Sequence, residues 1–403
     1  MHKISGVLAL GLLPLMTGTV SAETVKSHHM ILAPKCLVAE AGITAAPLTE
    51  KGDRVLLDAD DGMVGQLVKA KHDSLNTLKS CGDFRDVTRA LKISGNDAKK
   101  FLTKPFHTAE KTAVSPLSYK TQYRAEVNQL IATVNPQNMW TSLTALTHFK
   151  DRFANSKTGV LAAEWIKNQV TSLSEGRSDV SVYTVPTTGY SQPSVILKVG
   201  DSVSEPGIVI SGSIDTPASG WFSNMQGAGN NGSGAVTVLE AARVILDSGM
   251  RFKKPIYFIW YAAEMNGRVG SSDVVSEFEL QGKKTVNAAL HFDTVGYGRD
   301  RTMWLLDDYA DSRLNHWLTT LIHTYVRKPV LFERFDSSLF THASWTGAGV
   351  SASSAIGDRV QKLAYYTGSY EHDTLDKLSL EHMTDYLKLA VAFVVEGAEP
   401  IDQ

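Results

Sequence analysis

Glu264 follows the apolar run Pro255-Ile-Tyr-Phe-Ile-Trp-Tyr and two alanines. Such a run reads as a strand buried on both faces, and the carboxyl end of a strand in an open α/β sheet is where ligands gather. A carboxylate at that point is placed to do chemistry. Two adjacent acids there can divide the work, one taking a proton from a metal-bound water and the other holding the metal. Here the residue after Glu264 is Met265, and a thioether is a poor ligand for a hard or borderline dication.

Four further segments carry candidate residues. Ile208-Val-Ile-Ser-Gly-Ser-Ile-Asp ends at Asp215, and Gly227-Ala-Gly-Asn-Asn-Gly-Ser-Gly is a glycine-rich loop opening a helix. Ala289-Leu-His-Phe-Asp ends a strand at Asp293, and Glu371-His-Asp-Thr-Leu-Asp places His372 in the last long loop. The glycines lack the lysine and the Gly-x-Gly-x-x-Gly spacing of a phosphate cradle, so they read as a tight turn meeting a helix. His291 lies two residues before Asp293, on the same strand face and about 6.6 Å away, which makes it either a replacement metal ligand or a core histidine packed under a helix. Glu264 likewise reads either as a working base or as a buried acid bonded to backbone.

The elements that position these residues follow from pattern. Strands are predicted at Val180–Val185, Ser194–Val199, Gly207–Ser211, Ile256–Tyr261 and Ala288–Phe292. Helices are predicted at 120–134, 140–152, 160–174, 234–248, 310–327 and 380–397, the last opening on Ser379 with His382 where a capping box has an acid. Helices alternating with buried strands predict an α/β fold: a three-layer, doubly wound, mostly parallel sheet with helices on both faces. Residues 23–118 read as a small separate N-terminal unit, a pro-segment or an accessory domain. It has short apolar runs, an amphipathic helix from Met63 to Leu78 and a lysine-rich, proline-bounded exit. The larger domain is placed at 119–400.

At 403 residues, 43% hydrophobic and 20% charged, the chain has ordinary globular composition. A net charge of -2 with no basic stripe argues against nucleic acid or an anionic membrane as partner. Residues 1–22 have a basic tip, an apolar stretch too short to span a bilayer and a small-residue end at Val20-Ser21-Ala22, which predicts a cleavable signal peptide and a secreted or periplasmic protein. In such a compartment Cys36 and Cys81 can pair or remain as two buried thiols.

Taken in order, these segments resemble the secreted bacterial leucyl aminopeptidases that use two zinc ions, a clan (MH) of metallo-exopeptidases that also includes glutamate carboxypeptidases and glutaminyl cyclases. The resemblance runs from Tyr123 to near Ala398 and extends to stretches away from the site, such as Gly189-Tyr-Ser-Gln-Pro and His342-Ala-Ser-Trp. It implies removal or recognition of peptide and protein N-terminal residues. It also implies that Glu264 is the general base, Asp293 a ligand of the first zinc and His372 a ligand of the second. Three family ligands are replaced: the histidine of His-x-Asp by Ser213, the bridging aspartate by Asn230, and the second glutamate by Met265. Asp215, which in the family orients the ligand histidine, has lost that partner. The cysteine pair that staples the family's pocket loop is also absent from Phe335–Thr341.

A catalytic zinc takes about three protein ligands, and Asp293 and His372 belong to different ions. The resemblance therefore implies an aminopeptidase-family protein with weak or absent zinc binding and lost or impaired hydrolysis, a pseudoenzyme. The competing expectation is an active mono-metal aminopeptidase using Asp293, His372 and a rescue ligand such as His291 or Asn230. A one-zinc glutaminyl-cyclase-like site would need an aspartate, a glutamate and a histidine, and only the histidine position survives.

Overall fold

The computed structural model describes residues 28–76, 81, 84–93, 117, 119–202, 204–218, 225–278, 286–334, 340–360, 362–363 and 372–401. The expected signal peptide, the lysine-rich exit from Lys99, residues 335–339 of the pocket loop and Glu371 lie outside the described residues.

The N-terminal unit forms a four-stranded antiparallel sheet of its own, ordered β2-β3-β1-β4. Its strands are β1 (His29–Pro34), β2 (Thr49–Lys51), β3 (Arg54–Ala59) and β4 (Arg85–Asp86). Helix α1 (Lys35–Glu40) and helix α2 (Asp61–Asn76) accompany it, and α3 (Thr88–Ile93) follows. The alternation of Ile31, Ala33, Val55 and Leu57 builds its core against Val64, Leu67 and Val68 of α2, as the period of two in strands and the 3.6-residue helical repeat require. Cys36 and Cys81 are bridged across a Cα separation of 5.6 Å.

In the larger domain eight strands form one sheet, ordered β11-β10-β12-β9-β7-β8-β6-β5. They are β5 (Val180–Val185), β6 (Ser194–Val199), β7 (Gly207–Ser213), β8 (Ile256–Tyr261), β9 (Val286–Asp293), β10 (Met303–Leu306), β11 (Val330–Glu333) and β12 (Ser351–Ile356). The central four, β12-β9-β7-β8, run parallel, and antiparallel pairs lie toward the edges. Helices cover both faces. On one, Ile208, Ile210, Phe258 and Leu290 pack under the helices Gly234–Asp247 and Leu380–Ala398. On the other, Val209, Tyr257, Ile259 and Ala289 pack with Val274 of helix Val269–Ser276 and Trp345 of helix His342–Gly347. The expected fold class agrees with this architecture, while β10, β11 and β12 were not anticipated.

Local rules set the ends of the last helix. Ser379 Oγ accepts from His382 N at 3.1 Å, half of a capping box, whereas the His382 ring turns inward to the Gly357 carbonyl at 2.9 Å. Near the other end, buried Glu396 accepts from Gln122 N at 2.7 Å and from the Tyr325 hydroxyl. The contact with Gln122 ties the entry of the larger domain to its final helix.

Candidate active site

Three parallel strands bring the site residues to one edge of the sheet. Ser213 is the last residue of β7 and pairs with Tyr261 of β8, after which the chain turns into the Glu264 loop. Asp293 is the last residue of β9, opposite Ile356 of β12. Ser213 and Asp293 fall on the face covered by helices Val269–Ser276 and His342–Gly347, because they continue the alternation of Val209 and Ala289.

Glu264 is 6% exposed and receives three internal hydrogen bonds. Ser271 N donates at 2.7 Å, Ser271 Oγ at 3.0 Å and Thr341 Oγ1 at 2.7 Å. Burial pushes its carboxyl up to about 7 despite these donors, with Asp215 adding to the rise. The acid can therefore take a proton near neutrality, yet both its oxygens are already engaged by protein.

Asp215 is fully buried and has found backbone partners in place of a histidine. It accepts from Glu264 N at 3.0 Å and Met265 N at 2.9 Å, so it fixes the turn that presents the acid. Burial raises its carboxyl to about 6, against the pull of those amides and of Arg152. With Ser213 where the resemblance expects its histidine partner, this acid instead holds the loop through backbone amides.

The glycine-rich loop is held by a residue that sequence reasoning missed. Asp373, fully buried beside His372, accepts from Gly229 N at 2.6 Å, Asn230 N at 2.8 Å and Tyr297 Oη at 2.7 Å. A Cβ on Gly229 would meet Tyr297 at 2.2 Å, and one on Gly234 would meet the Phe292 carbonyl at 2.2 Å. These glycines serve close packing. Fully buried Arg152 braces the same region, donating to the carbonyls of Ile214 at 2.7 Å, Gln226 at 2.6 Å and Gly227 at 2.9 Å.

Asn231 occupies the centre. Its Nδ2 donates to Ser213 Oγ at 3.1 Å and to the Phe292 carbonyl at 2.8 Å, and its Oδ1 accepts from Gly234 N at 3.1 Å and Thr294 N at 3.0 Å. Asn230 and Met265 are half-buried. Asp293 is half-buried and accepts from Thr294 Oγ1 at 2.7 Å. Its carboxyl is raised by burial, opposed by Thr294 and by Lys71 of the N-terminal unit. His372 is exposed, with its backbone carbonyl accepting from Thr374 N and Lys377 Nζ.

His291 lies one pleat below Asp293, between Ser211 of β7 and Ser354 of β12. It is 2% exposed, its Nδ1 meets Ser211 Oγ at 3.0 Å, and burial drives its imidazole down to about 3. His342 completes this layer with Nδ1 at 2.8 Å from Ser354 Oγ and Nε2 at 3.0 Å from the Asp308 carbonyl. His291 is thus a neutral ring in a polar layer beneath the strand ends.

The residues present do not fit a two-zinc centre. A catalytic zinc takes about three nitrogen, oxygen or sulfur ligands. Ser213 offers a neutral hydroxyl already bonded to Asn231, Met265 offers a thioether, and the Glu264 carboxylate is taken up by Ser271 and Thr341. Among the described residues, no three His, Cys, Asp or Glu side chains form a group that could hold a metal ion.

Residues 194–394 match the model of peptidase family M28. Leucine aminopeptidase 1 of Arthroderma otae is 29% identical over 329 residues, 77% of this chain and 87% of that protein. Among solved structures, the LapA aminopeptidase of Legionella pneumophila is 34% identical with a TM-score of 0.82, covering 94% of this chain and 100% of its own. LapB of the same organism is 32% identical with a TM-score of 0.82, covering 92% and 100%. Coverage that high extends into the N-terminal unit.

Proposed function

The chain belongs to peptidase family M28, and from that premise we propose that it is an exported member that recognises peptide or protein N-termini, with its zinc-dependent hydrolysis lost or impaired. The observation that carries the reading is the replacement of three ligand positions on three separate segments by Ser213, Asn230 and Met265. Each substitute is neutral, so the carboxylate charge that would hold two dications is missing at Asn230 and Met265, and a neutral nitrogen donor is missing at Ser213. The hydrogen bond from Asn231 to Ser213 supports the same reading, because it gives the serine a stable partner inside the protein.

What remains suits binding. Asp293 offers a half-buried carboxylate at a strand end, matched to an ammonium group, and half-buried Met265 offers apolar, adaptable surface in the loop after β8. Glu264 and Asp215 keep the loop between them in shape. Export rests on the basic-tipped apolar start and its small-residue end at Ala22. The rival mono-metal enzyme needs His291 or Asn230 as a third ligand beside Asp293 and His372; His291 lies one pleat below Asp293, with its Nδ1 engaged by Ser211.

The test compares fluorescent peptides carrying a free or an acetylated N-terminus. Tighter binding of the free amine, with no cleavage in the presence or absence of added zinc, agrees with the proposal. Chelator-sensitive turnover overturns it.

A further inference from the structure

The N-terminal unit meets the larger domain through a key and a notch. Gly189, with φ +80°, has no side chain where one would stand 2.6 Å from His29 Cε1. The His29 ring fills that space and lies against Tyr190, centroid to centroid 4.9 Å. His29 is fully buried and anchored from its own side by Asp86 at 2.8 Å and Asp61 at 3.1 Å. Both anchors of the key come from its own unit.

Two further contacts reach the loop that carries Glu264. Asp86 N donates to the Gly267 carbonyl at 3.3 Å, and Phe84 lies 2.9 Å from where a Gly267 Cβ would stand. Farther along, Arg89 pairs with Glu277 at 3.5 Å and Asp273 at 3.7 Å, while Asp273 accepts from Thr188 N at 2.6 Å. A small cavity at this seam is lined from both sides, by Arg85, Asp86 and Arg89 and by Thr188, Ser272 and Asp273. Helix α2 carries Lys71 into the electrostatic neighbourhood of Asp293.

We propose that residues 28–93 are a permanent brace of the Glu264–Gly270 loop, seated by His29 in the Gly189 notch, and that they stay in place after the chain between the two domains is cut. The unit has its own core, and its disulfide closes between Cys36 and Cys81, within the unit. A cut beyond residue 93 therefore leaves no described covalent link, and only the interface holds the pieces together. A detachable pro-segment would instead leave an exposed Tyr190 ring and an unbraced Gly267 turn.

The experiment inserts a site for a specific endopeptidase after Lys111 in the full chain, cuts it, and follows the pieces by size-exclusion chromatography as the protein is diluted. The parent pieces should co-elute at micromolar concentration. Gly189→Ala should weaken their association at least tenfold. Gly176→Ala is the control for backbone strain, since Gly176 has the same φ of +80° with nothing within 4 Å, and it should behave as the parent. Arg89→Ala, which removes the ion pairs to Asp273 and Glu277 at the seam, should weaken association several-fold and serves if Gly189→Ala does not fold. Separation of the parent pieces at micromolar concentration overturns the proposal, as does a Gly189→Ala or Arg89→Ala protein indistinguishable from the parent.

Discussion

Asn231 Nδ2 donates to Ser213 Oγ at 3.1 Å, so the side chain at the position where the resemblance expects a ligand histidine is already bonded within the protein. Asn231 is 0% exposed and both polar atoms of its side-chain amide are engaged, with Phe292, Gly234 and Thr294 as its other partners. A ligand introduced at 213 must displace part of this network.

Ser213→His alone is therefore expected to lower stability by about 1–3 kcal/mol, the cost of leaving a buried amide without its acceptor, and to gain no zinc. Groups that act as one unit are strongly non-additive. The triple Ser213→His, Asn230→Asp, Met265→Glu is expected to bind zinc where each single variant does not. Zinc content after gel filtration, with hydrolysis of a leucine anilide, checks this across wild type, singles and triple. A triple that holds two zincs yet stays inactive would shift attention to the Phe335–Thr341 loop.

Asp373 is expected to be the stability anchor of the glycine-rich loop. Asp373→Asn cannot accept all three bonds from Gly229, Asn230 and Tyr297, and should cost about 1–3 kcal/mol. Tyr297→Phe removes one donor and should cost about 1 kcal/mol. Urea denaturation of both variants measures the difference.

The N-terminal unit should weaken in alkali. Burial disfavours a charged His29, but Asp61 and Asp86 together outweigh it and raise the ring from 6.5 to about 9. Because the native value is the higher, the stabilisation is complete below 6.5 and is lost as pH rises through 9, amounting to roughly 3 kcal/mol. Pulse proteolysis in urea at pH 6.5 and 9.5 should show that loss in wild type and little pH dependence in His29→Gln.

The parts legible in the sequence were those with strong periodicity or long apolar runs. β8, buried at every residue, and the Leu380–Ala398 helix with its Ser379 cap belong to this group. β12 did not announce itself, because Ser351-Ala-Ser-Ser-Ala-Ile is small and polar, and Ser353 and Ser354 are buried against Asn315 and His342. β11 is short and leaves Leu331 and Phe332 46% exposed, so it lacks a clean alternation. Within the site, the candidate positions on β7, β8 and β9 could be named from their places at strand ends. Asp373 and Arg152 could not, since their partners are backbone amides and carbonyls distant in sequence. An acid immediately after His372 was the one available hint.

The central claim is tested most directly by thermal unfolding of the purified protein with and without micromolar zinc. Ligand binding stabilises by mass action only when the ligand concentration exceeds the dissociation constant. A midpoint unchanged by zinc is the predicted result. A rise of several degrees that disappears in Asp293→Ala would contradict it.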